Sequence, residues 1–255
     1  MTPVLAIAQV TYREAVRNRV LYSLLVFVAA LLLISGILDR ITLGQTGRVV
    51  LDLGLSAVHL SGALIAIYLG VSLMAREIAG RTLHVVLAKP VRRGSFLLGK
   101  YLGLVATLGL LVAAMGLALL AAVLAFGGHI GPAFFQAVGM IWVELAVLTA
   151  VAVFFASFTG PFLSGMFTLG LFVAGHLAPG LRALGEASGD KALVMAGRVV
   201  YYLLPNLEVF DLKARALYQA PESAATVGLS LLYAGALSAF LLGAAALVFS
   251  RRDFR

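Results

Sequence analysis

The chain of 255 residues contains no cysteine, which excludes disulfide bridges, thiolate metal sites and a cysteine nucleophile. Charge is scarce as well: Asp, Glu, Lys and Arg make up 12% of the residues, against roughly 25% in soluble domains. Only 11 residues are acidic, and neither carboxylates nor histidines cluster in the sequence as a stand-alone membrane enzyme would need. Internal repeats, low-complexity tracts and a boundary to a second domain are also lacking. The missing repeats weigh against a secondary transporter, whose usual hallmarks are repeated halves and paired broken helices.

What is present is hydrocarbon. Hydrophobic residues supply 62% of the chain and the mean hydropathy is +1.06. A soluble core of this size cannot hide that much apolar surface, so the solvent is lipid and the expected fold is an all-α, polytopic membrane protein in one transmembrane domain. The net charge of +8 has its explanation there too, because Lys and Arg accumulate in cytoplasmic loops. No basic domain interleaved with aromatics points to a nucleic-acid partner.

A span needs about 20 apolar residues to cross roughly 30 Å of hydrocarbon. Six stretches meet or approach this: 20–38, 53–74, 101–126, 135–157, 161–177 and 227–249. The fifth is short and carries Gly165, Gly170 and Gly175, so a broken or partly re-entrant helix is one reading of it. Ahead of the first span, residues 3–19 have an amphipathic, basic pattern suited to the membrane interface. With the N-terminus inside, twelve of the 19 Lys and Arg fall on the cytoplasmic side and seven outside. That tally favours six spans with both termini in the cytoplasm of a cell whose inner (plasma) membrane holds the chain. The long outer loop, 178–226, is expected to lie on or dip into the outer face.

Between the second and third spans lies a charged island, 75–100, which holds Arg76, Arg81, Lys89, Arg92, Arg93 and Lys100. Leu83, Val86 and Leu87 form an apolar stripe at helical spacing, and Lys89 before Pro90 should end that half-helix. Ser95 is placed to cap the helix that follows. Basic loops of this kind also attract anionic lipid headgroups. Gly94, Gly99 and Lys100 match the G-x-x-x-x-G-K of a phosphate-binding loop, but Tyr101 stands where Ser or Thr should hold Mg²⁺ and no strand precedes it. The chain therefore has no ATP site or catalytic residues of its own, and any ATP and Mg²⁺ it uses are bound by another subunit.

The run Glu77, Ile78, Ala79, Gly80, Arg81, Thr82, Leu83, followed by Leu87 to Arg93 and by Phe96 to Lys100, resembles the signature loop of ABC type-2 transporter permeases. Arg13, Glu14, Ala15, Arg17 and Arg19 resemble the elbow helix of the same family, and Leu204 to Leu207 and 249–254 are similar to segments of its small permeases. The resemblance implies the membrane-spanning subunit of an ATP-driven exporter, a homodimer that couples hydrolysis in a separate ATPase subunit to substrate movement. It makes the island a cytoplasmic coupling helix. Glu77, Gly80, Leu83, Val86, Leu87, Lys89, Pro90 and Arg93 are then the residues that dock on the ATPase. A stand-alone secondary transporter or a lipid-acting membrane enzyme is the alternative.

Glu144 is the one carboxylate deep inside a predicted span, a costly position that suggests a substrate path, a gate or an interface role. His59, His129 and His176 all map to the outer half, but their sequence spacing supplies no metal motif. They read as isolated polar caps, with no metal site expected. The small-residue stripes Gly99/Gly103 and Gly235/Ala239/Gly243 read as packing features.

Overall fold

The computed structural model describes residues 3–17, 46–79 and 93–251, together with positions 26, 27, 30, 34 and 37. Eight helices account for most of it: α1 (Pro3–Arg17), α2 (Thr46–Ala79), α3 (Arg93–Ala125), α4 (Pro132–Ala156), α5 (Pro161–Ser188), α6 (Lys191–Leu203), α7 (Lys213–Leu217) and α8 (Ala224–Arg251). A single 3₁₀ turn, Glu208–Phe210, precedes α7. Among the described residues there is no strand, and five helices (α2, α3, α4, α5 and α8) are long and apolar enough to cross a membrane. The expected first span, 20–38, and most of the island, 80–92, lie outside the described residues.

Local sequence explains the helix ends. Pro132 and Pro161 open α4 and α5 after Gly131 and Gly160, where the missing N–H costs nothing and the fixed φ already suits a helix. Gly189 closes α5 in the left-handed region at φ 70°, which a residue without Cβ tolerates. Asp190 then caps α6 by accepting from the Ala192 amide at 2.8 Å. Ser95 is not the cap that its position suggests: α3 begins earlier, at Arg93, and Ser95 sits inside the first turn.

The core sits where α2, α3 and α4 meet. Leu55, Val58, Leu108, Met115, Leu119, Leu145 and Leu148 are fully buried there. α4 is the central helix, with an unbroken buried run from Val147 to Val153. In contrast, the outward faces of α5 and α8 are rich in exposed Leu, Val and Phe, as expected of surfaces that meet lipid. On α8, nothing lies within 4 Å of where a Cβ on Gly235 or Gly243 would stand, so that stripe packs against no described part of the chain.

The fifth span departs from the sequence expectation. It neither breaks near residue 177 nor turns back, but runs 28 residues to Ser188 through an internal proline, Pro179. A mid-helix proline leaves the carbonyl one turn earlier without its amide partner. That carbonyl belongs to Gly175, and the Leu207 amide donates to it at 3.4 Å. The partner thus comes from the 204–210 segment, which is inserted as a wedge beside α5 with Leu207 and Phe210 fully buried. α6 and the 208–217 segment together form a piece bent by 67°. The expected outer loop is therefore largely helical and reaches into the bundle.

The wedge requires a glycine at 175. A Cβ there would stand 2.8 Å from the Pro205 carbonyl oxygen and 2.9 Å from Leu207 Cγ. Gly175→Leu is expected to expel the wedge and lower stability by about 1–3 kcal/mol, the usual range for overpacking. Thermal unfolding of the purified chain checks this; an unchanged midpoint would show that the wedge tolerates displacement.

Candidate functional site

Three polar residues on different helices come to one level. His59 is followed from the start of α2 at Thr46, Glu144 from the start of α4 at Pro132, and His176 back from the end of α5 at Ser188. At 1.5 Å per residue, each is about 18–20 Å from the helix end on the side of the α3–α4 turn and the 189–223 segment. The three side chains meet. His59 Nε2 is 2.9 Å from Glu144 Oε2, and His176 Nε2 is 3.3 Å from Glu144 Oε1. The Glu144 side chain is 1% exposed, with walls supplied by Phe172 and the two imidazoles themselves.

The outer atoms of both rings are also engaged. His176 Nδ1 lies 2.9 Å from the Phe172 carbonyl oxygen one turn earlier. A carbonyl only accepts, so this nitrogen carries a proton. His59 Nδ1 lies 3.1 Å from Lys213 Nζ, and the same ammonium is 3.1 Å from Asp211 Oδ2. The Asp211 carboxylate in turn accepts from the Lys213 amide at 3.0 Å, which fixes the start of α7. A chain of polar groups therefore runs from the half-buried Asp211 and Lys213 inward through His59 and Glu144 to His176.

The inner part of this chain is not a well-formed set of hydrogen bonds. His59 Nε2, both Glu144 oxygens and His176 Nε2 are buried and have no hydrogen-bond partner among the described residues. The N···O separations satisfy an ion-pair distance, but the ring nitrogens do not point along them. One ligand atom from each of the three residues lies within 4.8 Å of the others.

Two sequence expectations change here. His59 and His176 are not isolated caps, because α2 and α5 carry them to the single buried carboxylate of α4. An acid–base cluster therefore exists inside the bundle, with the Glu144 side chain 1% and the His176 side chain 21% exposed. His129 is elsewhere, beside Gly127, Gly128 and Gln219 in a cleft of about 650 Å³ at the α3–α4 turn.

The expected docking residues fall differently. Gly80, Leu83, Val86, Leu87, Lys89 and Pro90 lie outside the described residues. Glu77 is in the last turn of α2 and Arg93 opens α3, so the backbone on both sides of the island is helical. The near phosphate-loop pattern at 94–100 is part of continuous helix, with Lys100 Nζ 5.4 Å from the centre of the Phe96 ring. At the end of the island, α1 crosses α3 at the glycine stripe. A Cβ on Gly99 would stand 2.8 Å from the Val4 carbonyl oxygen, and one on Gly103 would stand 2.6 Å from that of Ala8. The stripe thus packs the expected elbow helix against the third expected span.

No curated protein sequence matches the chain. The sequence model of one family, described as ABC-2 family transporter protein, matches residues 5–254.

Proposed function

The chain belongs to the ABC-2 transporter family, and from that premise we propose that it is the permease half of an exporter whose ATPase subunit docks under the island. A permease of this family is a transport subunit in the membrane and works with an ABC ATPase. In this reading ATP and Mg²⁺ stay in the partner, two permease copies face each other, and both termini lie in the cytoplasm. Force enters through 75–100, with Glu77, Gly80, Leu83, Val86, Leu87, Lys89, Pro90 and Arg93 at the contact.

The observation that supports this most is the seating of α1 on Gly99 and Gly103. α3 begins at the end of the island, and α1 lies on its first turns. A push on the island is therefore transmitted to α1 and α3 as one body, and a helix that moves rigidly tilts along its whole length. ATP binding elsewhere can then bias two arrangements of the spans, provided that the ATPase binds them unequally.

Deleting 83–91 from the full chain is expected to abolish co-purification with the ATPase subunit while membrane insertion persists. Retained ATPase binding by an inserted deletion variant would refute the docking site.

A further inference from the structure

We propose that His59, Glu144 and His176 form a buried site for a zinc-type divalent transition-metal ion, held by the two Nε2 atoms and the carboxylate. The proposal does not rest on the transport reading; it concerns the donor set alone.

Donor chemistry comes first. Two imidazoles and one carboxylate are a ligand set that suits Zn²⁺ and its neighbours, whereas Ca²⁺ and Mg²⁺ prefer oxygen. Spacing agrees with it. Bonds of about 2.0–2.1 Å in a tetrahedral arrangement put neighbouring donors about 3.3 Å apart. The two N···O separations, 2.9 and 3.3 Å, match this; the widest pair, up to 4.8 Å apart, exceeds the roughly 4.2 Å that two such bonds can span, so binding draws the imidazoles together. The missing hydrogen bonds support it further. Four buried polar atoms without hydrogen-bond partners are unusual in a native interior and call for a cause. A cation bound among them satisfies all four.

The surrounding shell is half prepared. The Phe172 carbonyl holds the proton of His176 on Nδ1, which leaves the Nε2 lone pair directed inward, the usual arrangement behind a metal-bound histidine. His59 differs. A metal on its Nε2 requires the proton on Nδ1, and the Lys213 ammonium facing that atom is itself a donor. Metal binding must therefore turn Lys213 away from His59 and toward Asp211, which is already 3.1 Å from it. Lys213 acts as a competitor of the metal, and it ties occupancy of the site to the position of the 204–217 segment.

The test uses the purified full chain in nanodiscs, stripped with chelator and titrated with Zn²⁺. His84 and His129 are replaced by Ala to remove the other two imidazoles. One Zn²⁺ per chain is expected, with an absorption-edge spectrum showing two imidazole ligands and no sulfur. Glu144→Gln and His176→Gln should each abolish stoichiometric binding. Lys213→Met, which keeps the bulk and removes the charge, should tighten it by about tenfold or more, the scale of second-layer effects on metal affinity. Lys213→Met also guards against misfolding of the ligand variants, since a gain in affinity needs a folded site. The proposal is overturned if Zn²⁺ binds below one equivalent, or binds at one equivalent without imidazole in the spectrum. It is equally overturned if His176→Gln binds as the parent does, or if Lys213→Met does not tighten binding.

Discussion

Replacing Gly103 by Leu is expected to unseat α1 and to uncouple the ATPase from the spans, while the chain still inserts. The cause is local and steric. A Cβ at 103 would stand 2.6 Å from the Ala8 carbonyl oxygen and 2.7 Å from Thr11 Cβ, and the first of these is backbone. Backbone cannot rotate out of the way, so the helices must separate. Overpacking costs about 1–3 kcal/mol, which shifts the docked fraction by a factor of about 5 to 150. The cysteine-free background gives a direct readout: Thr11→Cys is the only thiol, and its parent residue is 3% exposed. Its reaction with a maleimide should be slow in the parent and faster by the same factor with Gly103→Leu. Gly94→Leu is the matched control, since among the described residues nothing lies within 4 Å of its Cβ position. Equal labelling in all three would remove α1 from the force path. ATP hydrolysis by the reconstituted complex should lose its dependence on the permease only in the Gly103 variant.

Glu144→Leu should cause the second large loss, this time in stability. It removes the carboxylate that stands 2.9 and 3.3 Å from the two imidazole nitrogens and leaves both facing hydrocarbon, at about 1–3 kcal/mol in all, the mutational cost of a buried polar group without compensation. The helices it separates include α2 and α4, which build the core, so the loss should appear as one cooperative shift in thermal unfolding. Glu144→Gln keeps the volume and offers an amide to both rings, and its midpoint should stay near that of the parent. A Leu variant as stable as the parent would mean that the carboxylate is not what holds the three helices at this level.

Much of the architecture was legible because a lipid-spanning helix has to announce itself in composition. The expected spans at 135–157 and 227–249 correspond to α4 and to the hydrophobic part of α8, and 161–177 gives the larger part of α5. The end of α5 was not legible. Gly165, Gly170 and Gly175 suggest a break, yet the helix continues through Pro179, and the Gly175 carbonyl that this proline leaves free is met by the Leu207 amide, far along the chain. Local propensity cannot contain a hydrogen bond supplied from a distant segment. Glu144 stood out because a carboxylate in hydrocarbon is costly, but its partners did not. His59 and His176 share no motif with it, since the three residues come from different helices. The signal available was coarser: His59 and His176 both map to the outer half, and equal depth with Glu144 emerges only with the helix ends that the structure shows, Thr46 and Ser188.

The 204–223 segment is fastened to the bundle at several points on one side. The Asn206 amide donates to the Tyr233 hydroxyl of α8 at 3.1 Å, while Leu207 bonds to α5. The Gln136 amide of α4 clasps the backbone of Glu222 through its oxygen and its nitrogen. Three spans are thus tied to one crosspiece near the same end. At the opposite end the turn at 157–160 joins α4 to α5, so these two spans and the crosspiece close a frame braced at both ends, to which α8 is fastened through Asn206.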